Sequence, residues 1–152
     1  MTQYIVTDPC YVLPNSTWDK ICKDYKTDEE FIKLVTQELN KLAGTTNALA
    51  ANTGFGDWSN TLSSTNESKI IRHDFFADSG TVCVVEYNNK VRSAIQENKN
   101  DYLIDYGGMA LIETKGNVKI EMDTSDKNWT VVQIKDEEDT FRSLLPDDEN
   151  DE

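Results

Sequence analysis

Asp78-Ser79-Gly80-Thr81-Val82-Cys83-Val84-Val85-Glu86-Tyr87 is the stretch that decides the fold class. Asp-Ser-Gly is turn chemistry, and the nearly unbroken apolar run after it reads as a central strand rather than an edge strand with one wet face. Just upstream, Ile71, His73 and Phe75 alternate as a second strand. Downstream, Asn88-Asn89 reads as a tight turn. Residues 90–96 fit a strand through Val91, Ser93 and Ile95, or a helix through Val91, Ala94 and Ile95, and both readings stay open. Residues 109–113, a Lys115-Gly116 turn, and the alternating Val118, Ile120 and Met122 predict a hairpin. Trp129, Val131 and Ile134 then extend a meander.

Toward the N-terminus, Tyr4-Ile5-Val6 reads as a strand, Asp8-Pro9 as a turn and Tyr11-Val12-Leu13 as an extended apolar stretch ended by Pro14. Ser16 and Asp19 resemble a capping box, with Trp18, Ile21, Cys22 and Tyr25 at helical spacing behind it. A second helix opens on Thr27 with acids at 28–30, carries the stripe Phe31, Leu34/Val35, Leu39 and Leu42, and stops at Gly44. Residues 44–68 lack periodicity and read as one long loop, the first place to look for a site. The expectation is an α+β fold: a largely antiparallel sheet of about five to seven strands with two N-terminal helices. Residues 1–135 form the single domain, and 136–152 an acidic, mobile C-terminal tail.

Charge supports that division. Of the net −13, residues 136–152 carry −8 (nine acids against Arg142), leaving −5 for the rest. This sign disfavours direct binding to nucleic acid or anionic membranes and suits a basic protein partner, or solubility alone. No apolar run approaches the roughly 20 residues of a membrane span, and the opening residues do not read as a signal peptide. Three widely spaced cysteines, Cys10, Cys22 and Cys83, suit free thiols in a reducing cytoplasm.

Chemistry-bearing residues are sparse. His73, the only histidine, could join Cys10 and Asp74 or Asp78 in a nucleophilic site, but no protease signature surrounds Cys10. The same histidine and the three cysteines contain no Cys-x-x-Cys pair for zinc, and residues 123–128 lack the glycine of a calcium loop. No metal, cofactor or catalytic residue is therefore assigned. Asp8, Asp57 and Asp78 each sit in a turn, where ordinary side-chain-to-backbone hydrogen bonds account for them. Gathered at one end of the sheet with Cys10, Tyr11, Phe55 and Trp58, they would instead form a polar ligand pocket. In the tail, Asp136, Glu137, Glu138 and Asp139 precede Phe141, Leu144 and Leu145, which at helical spacing could dock on a partner while the acids steer it.

The run Val6-Thr7-Asp8-Pro9-Cys10-Tyr11, with Trp18, Gly56-Asp57 and the later Asp78-Ser79-Gly80-Thr81-Val82, resembles small uncharacterised phage and prophage proteins that open on V-x-D-P-C-Y. The resemblance covers short stretches (4–18, 54–58 and 75–86) and implies a host bacterial cytoplasm but no activity. Three functions stay open. Foremost is a non-enzymatic phage or mobile-element accessory protein that binds a host protein through acidic surface, as a defence inhibitor or DNA mimic. Behind it stand a nucleotide-like ligand-binding module and, last, a Cys/His hydrolase.

Overall fold

The computed structural model describes residues 1–53, 56–64, 66, 69–115, 118–123 and 131–143. Among these are three α-helices, α1 (Asn15–Asp24), α2 (Asp28–Ala43) and α3 (Asn89–Glu97), and ten strands. The strands are β1 (Thr2–Thr7), β2 (Leu49–Asn52), β3 (Trp58–Ser64), β4 (Ile70–Arg72), β5 (Asp74–Ala77), β6 (Thr81–Glu86), β7 (Ala110–Thr114), β8 (Lys119–Asp123), β9 (Val131–Lys135) and β10 (Thr140–Ser143). They form two antiparallel five-stranded sheets, ordered β2-β6-β1-β7-β4 and β5-β3-β10-β9-β8.

Side-chain alternation sorts the core into two layers. Tyr4 and Val6 of β1, Val82 and Val84 of β6, and Ala110 and Ile112 of β7 meet Leu62, Phe75, Val132, Ile134 and Phe141 between the sheets. The intervening Ile5, Cys83 and Val85 face the other way, onto Ile21, Val35, Leu39, Val91 and Ile95 of the helices. The order is thus helices, first sheet, second sheet. The run at 82–85 is apolar throughout because β6 is covered on both faces. Each such side chain contributes roughly 1.5–3 kcal/mol on burial.

The second helix matches its sequence signals. Thr27 Oγ1 accepts from the Glu30 amide at 3.1 Å, and Gly44 takes φ +71° to close the helix. Asn88, expected in a turn, caps α3 by accepting from Val91 N, and its amide donates to Ala43 O at the end of α2. The open choice at 90–96 resolves to helix, with Val91, Ala94 and Ile95 buried.

Several expectations require correction. The sheet is two sheets, and the predicted β7–β8 hairpin does not form: β7 lies between β1 and β4, while β8 pairs with β9. The reason is burial: residues 109–112 are apolar in succession and need cover on both faces, whereas an alternating strand suits a sheet with one wet face. The 44–68 loop contains β2 and β3, hidden because β3 exposes or half-exposes Ser59, Thr61 and Ser63 and fully buries only Trp58 and Leu62. The Asp8-Pro9 turn is a 3₁₀ turn over Pro9–Tyr11, and the extended stretch expected at 11–13 does not form. The Ser16 capping box is absent, since α1 already begins at Asn15 behind Pro14. The alternation at 71–75 breaks at His73, where the chain passes from the first sheet to the second.

The largest correction concerns the tail. Phe141 is 0% exposed, and β10 is the middle strand of the second sheet, paired with β3 and β9. Residues 136–139 form the turn that leads into it: Asp136 Oδ1 accepts from Glu138 N at 2.8 Å and Asp139 N at 2.6 Å. The fold therefore runs through Ser143, and the charge on residues 1–143 is −8 (23 acids against 15 bases) rather than the −5 of residues 1–135.

Candidate functional site

The first motif, Asp8-Pro9-Cys10-Tyr11, follows directly from β1. Asp8 is 0% exposed and caps the 3₁₀ turn, its Oδ1 accepting from Cys10 N at 2.9 Å. The same carboxylate reaches across to the second motif, accepting from Asp78 N at 2.8 Å, Ser79 N at 2.7 Å and Ser79 Oγ at 2.9 Å. Tyr11 closes the junction by donating its hydroxyl to Asp78 Oδ2 while its ring stands edge-on to Phe76. The third motif joins through backbone: Gly80 N donates to Gly56 O at 3.1 Å, and Thr53 N donates to Gly80 O at 2.8 Å.

Asp8 and Asp78 therefore converge as the pocket reading required, but the chain's own donors occupy the Asp8 carboxylate. Asp57 lies exposed on the adjoining turn, and Trp58 is buried edge-on to Phe75 between the sheets. Phe55 falls outside the described residues, as do Trp129, Leu144 and Leu145.

Cys10 is not disposed as a nucleophile. Burial, followed by the adjacent Asp8 and Asp78 carboxylates, pushes its thiol well above the ordinary range, whereas a working thiolate needs the opposite shift. Burial and the hydrogen bond to Asp78 likewise raise Tyr11. His73 stands exposed at the strand crossover, its carbonyl accepting from Leu62 N. Among the described residues no group of three or more His, Cys, Asp or Glu side chains could hold a metal ion. No helix among them is long and apolar enough to cross a membrane.

The acidic turn at 136–139 is largely answered from within. Lys69, with its side chain 11% exposed, pairs with Asp139 and with Glu138, and Lys115 reaches Glu138 at 3.2 Å. The Lys115 and Lys69 ammonium groups hold the Glu138 carboxyl below its usual range. Phe141, expected at a partner surface, is in the core.

A different surface emerges from residues 97–108, to which no sequence signal above was assigned. Tyr102 and Tyr106 are 55% and 79% exposed, their rings edge-to-face at 5.7 Å, and Asp101 and Asp105 flank them. The repeated Asp-Tyr at a four-residue spacing, ahead of Gly107-Gly108, is the signal that would have found them. The motif corner anchors this segment. Thr7 Oγ1 donates to Gly108 O at 2.9 Å, Asn100 Nδ2 to Tyr11 O at 3.2 Å, and Phe76 N to Gly108 O at 3.3 Å. Gly108 has no room for a side chain, since a Cβ would come within 2.7 Å of the Phe76 ring.

Beside Tyr106 lies an open hollow of about 580 Å³, walled by Asn60 and Thr61 of β3 and Asp74 of β5. A smaller one of about 220 Å³, bordered by Arg72 and Asp105, shares Asp74, Tyr106 and Gly107 with it. Comparison with family models, with characterised proteins and with solved structures found no match to this chain.

Proposed function

We propose that the protein is a non-enzymatic accessory protein of phage or mobile-element origin that binds a host protein carrying a basic surface. The exposed Tyr102–Tyr106 pair among carboxylates carries the reading. Tyrosines contribute large, rigid contact area at little entropic cost and are enriched where proteins meet, while flanking acids steer a cationic partner. The −8 on residues 1–143 supports the same electrostatic choice, since most of the net −13 lies within the folded body. The raised thiol of Cys10, beside the Asp8 and Asp78 carboxylates, weighs against hydrolysis. The internal saturation of Asp8 weighs against a ligand pocket at the motif corner.

Affinity capture from bacterial lysate with the full chain tests this, beside a variant carrying Tyr102→Ser, Tyr106→Ser, Asp101→Asn and Asp105→Asn. A basic host protein should be retained, released as salt rises, and lost by the variant. Retention of nothing above background at low salt, or equal retention by both chains, would defeat the reading. A nucleotide adduct in native mass spectrometry would favour the ligand-binding module instead.

A further inference from the structure

We infer that the hollow between Asp74 and Tyr106 seats an arginine side chain of the basic partner. The inference deepens the interaction reading above and rests on it. Thr61 Oγ1 donates to Asp74 Oδ1 at 2.6 Å, fixing the carboxylate with a neutral partner that leaves its charge uncancelled. Arg72, which borders the adjoining smaller hollow, is engaged by Asp105 at 3.2 Å. Tyr106, 79% exposed, offers its ring beside the same hollow.

Gly107 keeps the space open. Its φ is +80°, and a Cβ there would stand 3.3 Å from Asp74 Cβ, against the carboxylate that the hollow presents. An aromatic face beside a positioned carboxylate is complementary to a guanidinium, which is planar, weakly hydrated and able to stack while donating two parallel hydrogen bonds. A lysine ammonium lacks both the plane and the fork and keeps its water more tightly. The overall charge of −13 favours a cationic occupant over a neutral one.

The test is an NMR titration of the full chain at low salt with the peptide acetyl-Gly-Arg-Gly-amide and its lysine counterpart. The arginine peptide should shift the Asn60, Thr61, Asp74 and Gly107 amides saturably and bind about fivefold tighter than the lysine peptide. Tyr106→Ala and Asp74→Asn should each weaken it by a similar factor, while Tyr106→Phe retains it. Equal affinity for the two peptides, shifts spread over unrelated carboxylates, or binding indifferent to Tyr106→Ala would overturn the inference. Capture separates the two claims: a host protein held equally by wild type and by Tyr106→Ala sinks the arginine seat alone. Failure of the wild type to hold any protein sinks the interaction reading, whatever the peptides show.

Discussion

Replacing Asp8 with alanine removes an acceptor that joins two separate turns. Its carboxylate takes four donors at 2.7 to 2.9 Å, three of them backbone amides. A hydrogen bond to a charged group is worth about 1.5–3 kcal/mol, and a donor left without a partner costs about 1–3 kcal/mol. The four do not add fully, because the surrounding turns are only part-buried and water can reach some of the freed amides. A loss of about 4 kcal/mol is expected for Asp8→Ala, near the upper end for single substitutions. Asp8→Asn keeps an acceptor oxygen but turns an NH₂ toward donors, for a loss of about 2 kcal/mol.

Equilibrium urea unfolding measures both losses, and hydrogen exchange should show the Cys10, Asp78 and Ser79 amides losing protection in Asp8→Ala. A double-mutant cycle with Ser79→Ala isolates the hydroxyl contact, whose coupling should be about 1 kcal/mol. An Asp8→Ala loss under about 1 kcal/mol would refute the reasoning, because the freed amides would then be satisfied by water. Because Gly108 and Asn100 tie the tyrosine segment to this corner, Asp8→Ala should also broaden the Tyr102 and Tyr106 ring resonances.

Thiol labelling at neutral pH should modify Cys22, exposed on α1, well before Cys10 or the fully buried Cys83, with mass spectrometry of digested peptides as the readout. Deleting residues 136–152 removes a central strand and should abolish the unfolding transition; Phe141→Ala alone should cost about 3–5 kcal/mol. Acidification should loosen the 136–139 turn. Burial pushes Asp136 up, but the Asp139 and Glu138 amides outweigh it, and Lys115 and Lys69 lower Glu138, so both carboxyls sit below their ordinary values of 3.8 and 4.5. Depressed carboxyls add stability above those values and lose it as pH falls through the folded ones, so Lys69→Met should flatten the acid limb of a stability–pH curve, and an unchanged limb would exclude this coupling.

What could be read from the chain was what local chemistry controls. The Thr27 cap, the Gly44 stop and the doubly buried 81–86 run each depend on a residue and its near neighbours, and the structure repeats them. Pairing partners depend on the whole molecule. The 109–122 segment has hairpin spacing, yet its two strands have different burial demands, which only the presence of two sheets reconciles. β10 was obscured for a similar reason: acids at 136–139 dominate the composition, while the burial of Phe141 depends on β3, which reads as loop because its exposed positions are serine and threonine. The convergence of Asp8 with Asp78 needed two turns distant in sequence to meet, which no local pattern encodes.

That convergence also determines where a function should be sought. The three motif segments lock onto one another, with Asp8 holding Ser79, Tyr11 holding Asp78 and Gly56 holding Gly80, so their side chains and backbone are spent on each other. A residue set satisfied internally makes a scaffold, and what a scaffold positions is the next segment outward. Here that segment is 100–108, hung from the corner by Thr7, Asn100 and Phe76 N, and it carries the exposed tyrosines into contact with water. The motif and the surface are then related as support and load. Substitutions at Asp8 should act on binding only through the loosening of this segment, whereas substitutions at Tyr106 should act on binding and leave stability unmoved.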